Sequence, residues 1–232
     1  MFTKTAKYYD ALYHFKNYKD ASEKIHELVN VHNPNAATLL DVACGTGKHL
    51  EYLVKYYDVE GLDLNPELLN VAQRRSPDIK FHEADMTDFN LNTTYDVVTC
   101  LFSSIGYVQS LDKMNRAIKC MAKHINPGGV ILVEPWVGPD QYWEGKFIAN
   151  YVDQPDLKIA WMYKNEREKL TSVFDIQYMV GSSEGIIKFS EKHVMGLWTV
   201  TEYKQAFQDA GININFDPKG PFGRGLYYGI KQ

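Results

Sequence analysis

The ten residues DVACGTGKHL, positions 41–50, decide how this chain folds. They follow the short apolar run of residues 38–42 and lead into Leu50, Leu53, Val54 and Tyr57, which recur at helical spacing. Strand, glycine turn and helix make the opening unit of a doubly wound α/β sheet, and the turn lies where such sheets bind ligands. A phosphate-gripping NTPase loop is excluded, because Gly47-Lys48 is followed by His49 and Val42 stands where the first glycine belongs. A dinucleotide fingerprint would need a third glycine at Leu50 and an apolar residue at Asp41. What remains is Asp-x-Ala-x-Gly-x-Gly. Gly45 and Gly47 let the backbone turn tightly beside a ligand, and Asp41 offers an acceptor suited to an ammonium rather than a phosphate.

Outward from the loop the alternation continues. Residues 20–31 place Ile25, Leu28 and Val29 on one helical face; residues 59–64 form a strand; Asn65 and Pro66 cap a helix carrying Leu68, Leu69 and Ala72. Strands are expected at 79–82, 95–101 and 130–134, with a helix over 111–124 and a turn at Pro127. Past Pro135 the period changes to two: Phe174, Ile176, Tyr178 and Val180 alternate with polar partners within residues 157–198. A helix over 201–210 stops at Gly211, and strands at 212–216 and 225–230 close the chain. The fold class is therefore α/β, a doubly wound, seven-stranded, mostly parallel sheet with an antiparallel β insertion after the fifth strand. Residues 1–135 and 199–232 form the α/β domain, and 136–198 form the insertion, whose aromatic residues would roof an acceptor site and suit self-association.

Composition narrows the function. A net charge of −4 with 25 scattered basic residues argues against a nucleic-acid footprint. The N-terminal MFTKTAKYYD has no apolar targeting core and no long apolar run follows, so no membrane partner and a cytoplasmic location are expected. Cys44, Cys100 and Cys120 make no C-x-x-C pair, and neither a disulfide framework nor a metal site is expected. Cys44 reads as a small buried filler.

Three acids follow three successive strands. Asp63 lies 22 residues beyond Asp41, placed to accept ribose hydroxyls, with Leu64 beside it as a flat contact for adenine. Asp85 follows the third strand in EADMTDF, placed for the adenine amino group, with Met86 packing nearby. Singly, each could be a helix-starting or loop acid; in register with a glycine loop they make a nucleoside site. This pattern resembles motif I of the class I S-adenosylmethionine (SAM)-dependent methyltransferases, with Ala43 where glycine is commonest. The resemblance implies SAM as cofactor, held by Tyr18, Asp41, Ala43, Gly45, Gly47, Asp63, Leu64, Asp85, Met86 and Leu101.

Narrower segments, FSSIGY, VEPW and GPFGRGL, resemble the N,N-dimethyltransferases that act on deoxythymidine-diphosphate-linked 3-amino hexoses in macrolide pathways, a likeness running over residues 9–229. It implies a lid built from Tyr9 and Tyr18, catalytic positions at Tyr9, Ser104 and Tyr107, an acceptor-orienting hydroxyl at Ser103 or Ser104, and substrate binding by Trp136 and by Arg224 near a diphosphate. Where those enzymes carry a histidine after FSSIG this chain has Tyr107, a poor base at neutral pH. His49, His82 and His124 are expected to face away from the cleft, while His193 could point either way. The run TCLFSSIGY lacks the Asn/Asp-Pro-Pro-aromatic motif of DNA amino-methyltransferases. The expected activity is methylation of a small-molecule amine, including a nucleotide-linked amino sugar. N- or O-methylation of another metabolite or peptide, and a non-catalytic SAM-binding module, are the alternatives; a homodimer is the expected assembly.

Overall fold

Before the first strand the described chain packs inward, with Ala6, Tyr8, Leu12, Ile25 and Val29 all buried. The computed structural model describes residues 2–232. A short helix α1 (Tyr9–Leu12) leads to α2 (Tyr18–His32), whose first turn is capped by Asn17 accepting from the Asp20 N–H. The glycine loop then joins β1 (Thr38–Val42) to α3 (Leu50–Leu53). Next come β2 (Asp58–Asp63), α4 (Pro66–Arg75), β3 (Lys80–Glu83), β4 (Tyr95–Cys100), α5 (Leu111–Lys123) and β5 (Ile125–Val133). Asn65 caps α4 by accepting from the Glu67 and Leu68 N–H groups, with Pro66 in the first turn, as the sequence indicates.

Five strands run parallel, and the full sheet order is β11-β12-β5-β4-β1-β2-β3, where β11 (Ile212–Asp217) and β12 (Leu226–Lys231) are antiparallel. Strand residues alternate between two cores. Leu40, Val98 and Ile131 meet Met114, Ile118 and Phe207 on one face, while Leu39, Val97 and Val130 meet Ile25, Val29 and Leu53 on the other. The chain moves outward from β1 to β3, then returns to β4 on β1's other side. The carboxyl ends of β1 and β4 thus flank the topological switch point.

The insertion is a second sheet, β10-β9-β7-β6, with β8 (Glu166–Glu168) paired to β9. It contains β6 (Phe147–Gln154), β7 (Leu157–Lys164), β9 (Thr171–Ser182) and β10 (Gly185–Gly196). Helix α6 (Val200–Asp209) follows and returns the chain to the main sheet. The inner face carries Val152, Ile159, Trp161, Phe174, Tyr178 and Val180, and Tyr8 and Leu12 from the N-terminal segment pack into it. The chain's beginning therefore bridges the two sheets.

Some boundaries differ from the sequence expectation. The helix after the glycine loop is one turn: Val54 is exposed, while Tyr57 turns inward so that its hydroxyl meets His26 Nδ1 at 2.9 Å. Strand β5 begins at Ile125 and runs through Pro127-Gly128-Gly129, with a shift of register opposite Tyr95–Val97 where a turn was expected. Strand β6 was not legible, because seven of its eight residues are not buried and period-2 alternation is absent.

Candidate active site

At the end of β1 the chain enters Ala43 with φ 60°, followed by Gly45 at 57° and Gly47 at 73°. A left-handed alanine is uncommon, and its place beside a cavity marks backbone held against its preference for a purpose. Gly45 donates its N–H to Asp63 Oδ2 at 2.8 Å, and Asp63 Oδ1 accepts from the Asn65 N–H at 2.8 Å. The acid at the end of β2 is thus tied to the glycine turn at the end of β1. Gly47 serves packing: its N–H bonds the Cys44 carbonyl, and a Cβ there would meet the Ala72 methyl at 3.3 Å. It lets α4 approach the loop.

Two cavities open along this edge. The first, about 170 Å³, is lined by Ala43, Gly45, Asp63, Leu64, Asp85 and Met86, joined by Tyr9, Ser104 and Tyr107. Within it Asp85 Oδ1 accepts from the Thr87 N–H at 2.8 Å, which fixes the carboxylate after β3. A small extension of about 30 Å³ reaches Asp41, Tyr18, Leu101, Cys44 and His49. Asp41 is 2% exposed and accepts from Thr99 Oγ1 at 2.7 Å. Burial pushes its carboxyl up to about 7 from its ordinary 3.8, with the negative charge of Asp63 adding to the effect. Burial likewise raises Asp63. An acid buried beside another acid is completed electrostatically by a bound cation, and the ammonium of an amino-acid moiety suits it. The lining is one that could hold SAM: Asp41 could take the ammonium, Asp63 the ribose hydroxyls, and Leu64, Asp85 and Met86 the base.

The second cavity, about 200 Å³, lies between this edge and the inner face of the insertion. Its lining includes Ser103, Trp136, Trp161, Phe174, His193 and Arg224, and it shares Tyr9, Ser104 and Tyr107 with the first. Phe102 and Ser103 after β4 both have positive φ, 53° and 61°, which turns this segment across the sheet edge. Ser103 is fully buried: its hydroxyl donates to the Pro135 carbonyl at 2.7 Å and accepts from Arg224 Nη1 at 3.3 Å. The Arg224 guanidinium sits 5.0 Å from the ring centres of both Phe102 and Trp136, gripped by cation–π contacts. Trp136 is itself fixed by its Nε1–H donating to Ser172 Oγ at 3.0 Å.

The N-terminal segment closes over both cavities. Asp10 accepts from Thr46 Oγ1 at 2.8 Å and from Arg75, which also donates to the Thr46 carbonyl, latching α1 to the glycine loop. Tyr9, next to it, borders all three spaces, and Tyr18 packs edge-on against His49 and Phe222. Lys16 lies over the Phe102 ring and 4.4 Å from that of Phe222, and burial lowers its pKa to about 5.

Of the residues expected from the sequence to bind cofactor or substrate or to act in catalysis, all but Gly47 line these spaces. His49 does not face away as expected: it borders the Asp41 pocket, because α3 is short and begins directly at the loop. His82 pairs with Glu60 at 2.5 Å and His124 stacks on Phe89, both away from the cavities. Lys16, Phe102, Glu134 and Phe222 were not singled out, and His193, whose direction the sequence left open, points into the second cavity. Phe102, Glu134 and Phe222 fall within the quoted segments FSSIGY, VEPW and GPFGRGL; nothing in the sequence marked Lys16. Glu134 is fully buried and its Oε2 accepts from the Phe102 N–H at 2.7 Å.

Comparison with known proteins gives the family and the fold. A methyltransferase domain family model matches residues 39–129. The chain is 39% identical over 217 residues to the dTDP-3-amino-3,6-dideoxy-alpha-D-glucopyranose N,N-dimethyltransferase of Streptomyces fradiae, covering 93% of this chain and 85% of that protein. It is 37% identical over 227 residues to the dTDP-4-amino-2,3,4,6-tetradeoxy-D-glucose N,N-dimethyltransferase of Saccharopolyspora spinosa, covering 97% and 91%. Among solved structures, DesVI of Streptomyces venezuelae superposes with a TM-score of 0.92 at 35% identity, covering 97% of each chain. The SAM-bound amino pentose methyltransferase CalS10 from Micromonospora echinaspora gives 0.89 at 32%, covering 97% of this chain and 96% of that one. The chain belongs to the SAM-dependent methyltransferases, in the group that contains these N,N-dimethyltransferases.

Proposed function

We propose that this enzyme methylates the amine of a nucleotide-diphosphate-linked deoxyamino sugar. The observation that carries the reading is the common wall: Tyr9, Ser104 and Tyr107 border both the acid-lined cavity and the aromatic cavity that holds Arg224. SAM, when bound, supplies a methyl group on an electrophilic sulfonium. The chain's own task is positioning: an amine seated at the shared wall faces the first cavity with its lone pair free. Arg224, held between two rings, presents a planar guanidinium suited to a diphosphate, and the insertion's aromatic inner face excludes water from the amine. The names of the relatives support the substrate class, with the amine at C3 in one and C4 in another.

Within this reading, residues 136–198 roof the acceptor and Tyr9 and Tyr18 form the lid. We also infer a homodimer through the insertion's outer face, where Phe147, Tyr151 and Met162 are exposed. Three free cysteines suit a reducing, cytoplasmic setting. Release of S-adenosylhomocysteine (SAH) with dTDP-3-amino and dTDP-4-amino deoxysugars, against simple amines as controls, tests the assignment. Turnover of the simple amines alone would overturn the sugar-nucleotide reading; SAM binding with no turnover of any amine would favour a non-catalytic module. Loss of one bidentate contact to phosphate makes Arg224→Ala raise the KM for the sugar nucleotide by about tenfold or more, with kcat nearly constant.

A further inference from the structure

His193, on β10, reaches across from the insertion to Tyr107: Tyr107 Oη and His193 Nδ1 are 3.0 Å apart. Tyr107 belongs to the wall shared by both cavities, whereas His193 lines only the acceptor side. The imidazole is 2% exposed, packed against the Phe2 ring at 4.7 Å, and its Nε2 is buried with no hydrogen-bond partner among the described residues. Burial lowers its pKa to about 4, so the ring is neutral in ordinary buffers. Glu191, two residues along, opposes that shift, but its carboxylate is occupied by the Lys4 N–H and the Thr5 hydroxyl.

We propose that His193 is a positioning residue which fixes the Tyr107 hydroxyl as an acceptor for an N–H of the substrate amine, an inference that rests on the amine-methylation reading. A neutral imidazole has one acceptor nitrogen and one donor. With Nδ1 accepting from Tyr107, the phenolic oxygen keeps its lone pairs for the acceptor cavity, and an amine N–H docked there turns its own lone pair toward the cofactor side. The opposite polarity would send the Tyr107 hydrogen to the amine and occupy the pair of electrons needed for attack. Tyr107 then needs no basicity, which fits a phenol whose pKa burial pushes well above 10. The unpartnered Nε2 carries the ordinary penalty of a buried unpaired group, which the fold retains. The role belongs to two residues 86 positions apart, so no local motif displays it.

Two measurements test it. Imidazole ¹⁵N NMR of the whole protein is expected to show His193 Nδ1 unprotonated and hydrogen-bonded, with its resonance moving in Tyr107→Phe; a protonated Nδ1 overturns the proposal whatever the substrate. In turnover assays, losing one oriented hydrogen bond makes His193→Phe lower kcat about tenfold. SAH affinity is expected to be unchanged, His193→Asn to restore most of the rate through its side-chain oxygen, and Tyr107→Phe to abolish the effect of a second change at 193. Full activity in His193→Phe, or additive losses in the double variant, overturns the proposal. If His193→Phe does not fold, the Asn and Tyr107→Phe variants with the NMR result still decide. Failure of the wild type to turn over any amine sinks the functional reading, while the Nδ1 result still judges the hydrogen-bond polarity alone.

Discussion

Asp41 shows how a single side chain can carry a chemical argument. Its place in the sequence marks it as an acceptor for a cation, and its surroundings explain how: burial and the neighbouring Asp63 raise the carboxyl to about 7, against the opposing pull of the Thr99 hydroxyl that donates to it. A folded-state pKa above the ordinary 3.8 means that between about pH 4 and 7 the folded, cofactor-free protein binds more protons than the unfolded chain. Asp41's contribution to stability is therefore greatest below pH 4 and is lost as pH rises through 7. A bound ammonium reverses the shift by favouring the carboxylate, so SAH binding at pH 6 is expected to release protons, and to release fewer at pH 8. Calorimetry in buffers of differing ionisation enthalpy reads this directly; proton uptake at pH 6 would contradict the assignment of Asp41 to the ammonium. Asp41→Asn, which loses a charge-assisted contact worth about 1.5–3 kcal/mol, is expected to weaken SAH binding by roughly ten- to a hundredfold.

At the level of strands and helices, legibility followed locality. Strand β1 runs over the residues expected from the sequence, and α4 starts at Pro66 with Asn65 as its cap, because caps and apolar runs are short-range signals. Helix α6 was expected over 201–210 without a cap; it begins with a capping box, Thr199 and Glu202 bonding each other's backbone and side chain. Thr199→Ala is expected to cost about 1 kcal/mol and to lower the thermal midpoint by roughly 2–4 °C without changing SAH affinity. What escaped were contacts made by tertiary packing: the inward turn of His49, the edge strand β6 and the latch from Asp10 to Thr46 and Arg75. That latch holds α1 over the cofactor cavity but is part-exposed, so its pair is worth about 1 kcal/mol. Asp10→Ala is therefore expected to speed SAH dissociation about fivefold in stopped-flow measurements, and a rate equal to wild type would show that α1 does not gate release.

Across the whole molecule, the doubly wound order is what gathers the dispersed residues. Because the chain reverses direction after β3, segments following β1, β2, β3 and β4 meet at one edge, and the insertion together with the N-terminal segment covers it. The acids of that edge could be listed from sequence because each lies at or just beyond the carboxyl end of its own strand; the partnership of Tyr107 with His193 could not, since it depends on how two sheets are set together. The same arrangement leaves the insertion's other side bare. Strand pairing places Phe147, Tyr151, Met162 and Met179 on one face, and all are exposed, Phe147 at 79%. Contiguous apolar side chains on an exposed sheet face are uncommon in monomers and characteristic of association surfaces. Light scattering coupled to size exclusion is expected to give twice the 26.7 kDa chain mass. Tyr151→Lys with Met162→Lys, which puts like charges into a self-matching patch, is expected to give one chain mass with SAH binding intact, because neither residue lines a described cavity. A wild-type mass of a single chain at micromolar concentration would leave the outer face without a partner copy and remove the dimer from this account.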